Sequence, residues 1–143
     1  MNQWSHFHCT AYQKGSFIRT KEEKYNDFLV KLDLGMLIRT AVTASTPTME
    51  ITESVGKWRV VMKTTLKSNE INFENGVPFD ELTQDGRSCT TTVTINGNQM
   101  VTDQKAKEAN KKSVKIIRDF SDDGIDVQMI CEDVVSRQYF KRQ

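Results

Sequence analysis

Hydrophobic positions follow a helical period only near the front of the chain. Tyr25, Phe28, Leu29 and Leu32 fall at i, i+3, i+4 and i+7, one face of an amphipathic helix. Gly35 stands where a helix-ending left-handed residue is wanted, and a second short helix is predicted from Met36 to about Thr43. Beyond Pro47 the pattern changes to short runs rich in Val, Ile and Thr, broken at the 8 to 12 residue spacing of barrels and sandwiches. The breaks are Val55-Gly56, Ser68-Asn69, Asn75-Gly76, Asp85-Gly86, Asn96-Gly97 and Asp122-Asp123-Gly124. Asn-Gly and Asp-Gly suit tight hairpins because both residues accept positive φ at low cost. The body is therefore an antiparallel meander of about nine or ten strands, preceded by one helical pair.

Closure into an up-and-down barrel is the economical way to remove the edges of such a sheet. No helix separates the later strands, which argues against a parallel sheet. The segment Lys115-Ile116-Ile117-Arg118-Asp119-Phe120 puts charge on both faces of one strand. A solid core would hold Arg118 only at a cost of several kcal/mol. A wet interior that holds a ligand tolerates it.

Composition narrows the function. The 143 residues fit one domain, and 20 Lys plus Arg against 19 Asp plus Glu give a formal charge of +1, too little for a whole-molecule field that grips nucleic acid. Residues 1–13 read as an extension without the basic and apolar blocks of a signal peptide, leaving a single domain over 14–143 with the helical pair at about 24–44. Cys9, Cys89 and Cys131 suit neither a disulfide framework nor a clustered metal site, and reduced thiols in the cytoplasm are the plain reading. His6 and His8 are the only histidines, so a Ser-His-Asp triad lacks a base in the body of the domain. His6, His8 and Cys9 lack a fourth clustered metal ligand. The pairs Glu22-Glu23, Asp80-Glu81 and Glu132-Asp133 alternate faces and read as surface charge. No catalysis, cofactor or metal is expected.

Several ordered motifs resemble the intracellular lipid-binding proteins, the family of fatty-acid-binding, myelin P2-like and cellular retinoid-binding proteins. Gly15-Ser16-Phe17 stands where that family opens with Gly-Thr-Trp. Tyr25 to Gly35 is similar to its first helix, and Ile38-Arg39-Thr40 lies in its second. Thr64 to Phe73 is similar to its "ST-F-KN-EI-F" strand pair, Phe79 to Arg87 to its "F-DE-T-DGR", and Arg137-Gln138-Tyr139 to its C-terminal Arg-x-Tyr. The resemblance covers about Gly15 to Arg142. It implies an all-β fold of the lipocalin/calycin type, ten antiparallel strands in an up-and-down β-barrel under a helix-turn-helix lid.

It also implies a ligand. In the carboxylate-binding members two arginines and a tyrosine hold the lipid head group, and the transfer gives Arg118, Arg137 and Tyr139. Arg137 and Tyr139 are two apart and share a strand face; a guanidinium fork with a neutral hydroxyl donor suits a carboxylate. Gln104 matches a polar inward residue, Arg87 is a second candidate near the ligand path, and Tyr25, Leu29 and Leu34 would line the cavity under the lid. Leu66 stands at a position where many members carry a portal Phe. The function implied is a monomeric cytoplasmic carrier of a long-chain fatty acid, with retinoic acid as the rival ligand. A myelin P2-like module is the other class, touching acidic membranes through basic surface such as Lys105, Lys107, Lys111 and Lys112.

Overall fold

Ten antiparallel strands and two short helices make up the described part of the chain, residues 12–65 and 67–143 of a computed structural model. Strand β1 (Gly15–Glu23) leads into α1 (Tyr25–Lys31) and α2 (Met36–Ala44), and the remaining strands follow without a further helix. These are β2 (Thr48–Ser54), β3 (Lys57–Lys63), β4 (Ser68–Glu74), β5 (Phe79–Leu82) and β6 (Ser88–Asn96), then β7 (Gln99–Ala106), β8 (Val114–Phe120), β9 (Gly124–Cys131) and β10 (Val134–Arg142). The order across the sheet is β4-β3-β2-β1-β10-β9-β8-β7-β6-β5. Pairing of the first strand with the last rolls the meander into a nearly closed barrel, with β4 and β5 as the two unpaired edges.

Side chains bridge those edges. Phe73 of β4 stacks between Trp58 of β3 and Phe79 of β5, at 6.3 and 6.1 Å between centroids. Asn75, in the β4–β5 connection, accepts from the Ile95 amide at 2.8 Å and donates to the Ile95 carbonyl at 3.4 Å, imitating a strand pairing with β6. Unpaired edges invite association with other chains; here aromatic stacking and one amide side chain cover part of them.

The core divides in two. Phe17, Met49, Ile51, Val93, Met100, Phe120, Ile125 and Phe140 belong to a cluster inside the barrel. A smaller cluster packs Phe28 and Leu29 of α1, and Leu32 at its end, against Val114 and Cys131. The expected apolar stripe of the first helix is thus its packing face. The second helix buries no residue, and Met36, Leu37 and Ile38 are exposed.

Several local expectations are corrected. Gly35 has an extended conformation (φ −68°) and caps the start of α2, while the left-handed residue after α1 is Asp33 (φ 65°). Ser68 and Asn69 begin β4; the turn lies before them, closed by the Thr64 amide on the Lys67 carbonyl at 2.7 Å. Two residues expected in the extension, Tyr12 and Gln13, pack on the barrel. Gln13 is fully buried and its amide donates to the Gly97 carbonyl at 2.9 Å, and Tyr12 packs on the main cluster. Arg142 ties this segment down, donating to the carbonyls of Tyr12, Lys14, Ser121 and Asp122. His6, His8 and Cys9 lie outside the described residues.

Candidate functional site

A cavity of about 340 Å³ lies inside the barrel and reaches α2, with Leu29 and Leu34 under the lid and Met49, Val60 and Ile116 along the wall. That is a normal ligand-cavity volume, and an apolar wall with a few polar groups is the usual make-up of a small-molecule site.

Arg118 of β8 is one of the charged residues that line it. Ile116, Arg118 and Phe120 alternate with outward Lys115 and Asp119 on β8. Arg118 faces Val127 on β9, and Val127 faces Gln138 on β10, so the three side chains lie in one row. The guanidinium makes one long hydrogen bond, Nη1 to Thr102 Oγ1 at 3.4 Å, and its buried Nε has no partner. Burial pushes its pKa down from the ordinary arginine range to about 10, with the Glu81 carboxylate opposing the shift. A cation that borders a cavity and makes one long hydrogen bond among the described residues is a receptor for an anion or a strong acceptor.

The other half of the expected head-group site is corrected. Along β10, Ser136, Gln138 and Phe140 are buried, whereas Arg137 is exposed and Tyr139 is half-buried on the outer face. Gln138 and Phe140 line the cavity. The reason is register: a two-residue connection, Glu132-Asp133, joins Cys131 to Val134, with Glu132 left-handed at φ 54°. Side chains alternate with period two, so a shift of one residue turns every side chain over. At the far end of β9, Gly124 lies so close to the Phe140 carbonyl that a Cβ would collide with it, which makes glycine necessary there.

Gln104 points inward as expected, but it belongs to a built network. Its Oε1 accepts from Arg87 Nη2 at 2.9 Å, and its Nε2 donates to Glu81 Oε1 at 3.2 Å. Thr91 also donates to Glu81 Oε1, at 2.7 Å. Arg87 is 5% exposed, and Asp85 takes two of its donors at 2.6 and 3.1 Å. The Lys112 carbonyl takes another at 3.0 Å, and Nη1 also contacts Cys89 Sγ at 3.8 Å. Burial pushes the Asp85 carboxyl up, yet hydrogen bonds from Arg87 and Thr83 outweigh this and hold it below the usual range. Arg87 borders the cavity with its donors engaged, so the structure makes it an organiser of Gln104 rather than a free ligand group.

Tyr25, Leu29 and Leu34 all border the cavity; Tyr25 stacks on Phe28 and lies under the Arg19 guanidinium, and burial raises its pKa. Leu66 lies outside the described residues. Cys89 and Cys131 are fully buried free thiols, and burial pushes both pKa values up. Of the basic run, Lys107 pairs with Asp80 at 2.7 Å, and Lys112 donates to the Lys31 carbonyl at the end of α1 at 2.7 Å. Sequence reasoning missed Glu81, Thr102, Gln138 and Phe140. For the last two the signal was available: Arg137 and Lys141 share one face of β10, leaving Ser136, Gln138 and Phe140 for the other.

The family description "Lipocalin / cytosolic fatty-acid binding protein family" matches residues 18–141. The chain belongs to this family. It is 34% identical over 128 residues to "Sodium/calcium exchanger regulatory protein 1" of Doryteuthis pealeii, covering 90% of this chain and 94% of that one. It is also 34% identical over 130 residues to "Fatty acid-binding protein homolog 5" of Caenorhabditis elegans, covering 90% and 95%. Among solved structures, "REP1-NXSQ fatty acid transporter" superimposes with a TM-score of 0.86 at 33% identity, over 93% of this chain and 97% of that one.

Proposed function

We propose that this protein is a non-enzymatic cytoplasmic carrier that encloses one long-chain lipid acid, tail among the apolar wall residues and carboxylate on Arg118. The single observation that carries the reading is the half-buried Arg118 side chain, which borders a cavity of ligand size and makes one long hydrogen bond among the described residues. A charge-assisted hydrogen bond contributes about 1.5 to 3 kcal/mol. Roughly 15 methylenes at about 0.8 kcal/mol each give a gross 12, set against about 4 to 15 for association and ordering. Arg118 sets orientation and the wall sets most of the affinity. The names of the two fatty-acid-binding relatives support this choice of ligand.

The test is a titration of delipidated protein with a fluorescent fatty-acid analogue, then competition by oleate and retinoic acid. Saturable one-to-one binding displaced by oleate is expected; absence of saturable binding to folded protein overturns the reading, and displacement by retinoic acid alone makes the ligand a retinoid.

A second reading, transient docking on acidic membranes during delivery, is favoured by the exposed run Met36-Leu37-Ile38, which is 72%, 87% and 53% accessible and whose Ile38 borders the cavity. Vesicle co-sedimentation of wild type and Leu37→Glu tests it. Binding lost in the variant is expected; equal binding, or none by wild type, contradicts it.

A further inference from the structure

The interior carries a second pole. Glu81 borders the same cavity as Arg118, and its inward position follows from the alternation of β5, where Phe79 and Glu81 are half-buried and Asp80 and Leu82 exposed. Its Oε1 already accepts from Thr91 and Gln104. Its Oε2 receives no hydrogen bond from a described residue and is not among the buried unpartnered atoms, so it is open to water, although a carboxylate accepts at about four lone-pair sites. The group is held in place from behind, because Arg87 fixes the Gln104 oxygen and so turns the Gln104 amide toward Glu81.

The two poles are neighbours along the cavity. Arg118 bonds to Thr102 and Glu81 to Gln104, and these are alternate inward residues of β7, about 7 Å apart along the strand. A plain fatty acid would satisfy Arg118 and then lay methylenes against Glu81 Oε2, stripping water from a carboxylate without replacing its hydrogen bond. That loss is costly. A donor on the ligand restores the bond, and a neutral hydroxyl does so without a further formal charge to desolvate.

We propose that the preferred cargo is a long-chain acid bearing a hydroxyl in the head-proximal part of the chain, its carboxylate on Arg118 and its hydroxyl donating to Glu81 Oε2. The proposal rests on the carrier reading above and names the substrate class of that site. A site built to hydrogen-bond a hydroxyl discriminates strongly against the analogue that lacks it.

The experiment is displacement of a bound fluorescent fatty-acid analogue by stearate and by its head-proximal monohydroxy derivatives, on wild type, Glu81→Leu and Glu81→Gln. A hydroxylated acid is expected to displace the probe at a concentration at least tenfold below that of stearate. In Glu81→Leu the two should agree within twofold. If that variant does not fold, the preference should fall below threefold in Glu81→Gln. Equal displacement by both acids on wild type, or a preference that survives in the variants, overturns the proposal and leaves the carrier standing. Failure of every acid to displace the probe overturns both.

Discussion

Replacing Arg118 by methionine separates the two consequences of burying a guanidinium. Its pKa is depressed in the folded state, so the unfolded chain binds the proton more tightly. The penalty is fully present below about pH 10 and disappears as the pH rises from about 10 toward the ordinary arginine value. Arg118→Met should therefore stabilise ligand-free protein near neutral pH by on the order of 1 to 3 kcal/mol in urea denaturation, while weakening lipid binding. Loss of stability in the variant would mean that the guanidinium is satisfied within the fold. Asp85 carries the opposite sign. Its lowered carboxyl pKa contributes stability above the ordinary carboxylate range that is lost as the pH falls through the folded value. Asp85→Asn leaves Arg87 buried without its anion and should cost about 3 kcal/mol at neutral pH. The acid-induced loss between about pH 5 and 2 should be shallower in the variant, read from urea midpoints across that range.

At the scale of elements, the two halves of the lid are held unequally. The first helix is packed by Phe28, Leu29 and Leu32, capped by Lys112 on the Lys31 carbonyl, and paired through Lys31 to Asp133 at 2.8 Å. The second buries nothing, and Arg39 holds its first turns to the Leu34 carbonyl at 2.6 Å and Asn26 at 3.2 Å. Amide hydrogen exchange should accordingly be faster in 36–44 than in 25–31, because local stability follows buried apolar contact; equal protection would contradict this. Helices, strand punctuation and the inward parity of Arg118 were legible in the sequence because each rests on a local period or a turn residue. The facing of Arg137 and Tyr139 was not: it depends on whether the Glu132-Asp133 connection has two residues or three, a matter of hairpin geometry that a motif match cannot see. Glu81 was hidden for another reason, since Asp80-Glu81 looks like surface charge until the β5 alternation puts only one of the pair inside.

For the whole molecule, one row of residues across β8, β9 and β10 brings Arg118, Val127 and Gln138 together at the cavity. Both described cysteines lie in this frame with no exposed surface. Thiol titration of native protein should leave Cys89 and Cys131 unreacted until denaturant is added; prompt labelling of either would show that the barrel opens far more readily than its packing implies. The most direct test of the account compares the affinity of a fluorescent fatty-acid analogue for wild type, Arg118→Met and Arg137→Ala. The account predicts at least tenfold weaker binding for Arg118→Met and a change under twofold for Arg137→Ala, because only the first side chain points into the cavity. Weakened binding by Arg137→Ala, with Arg118→Met unaffected, would contradict it.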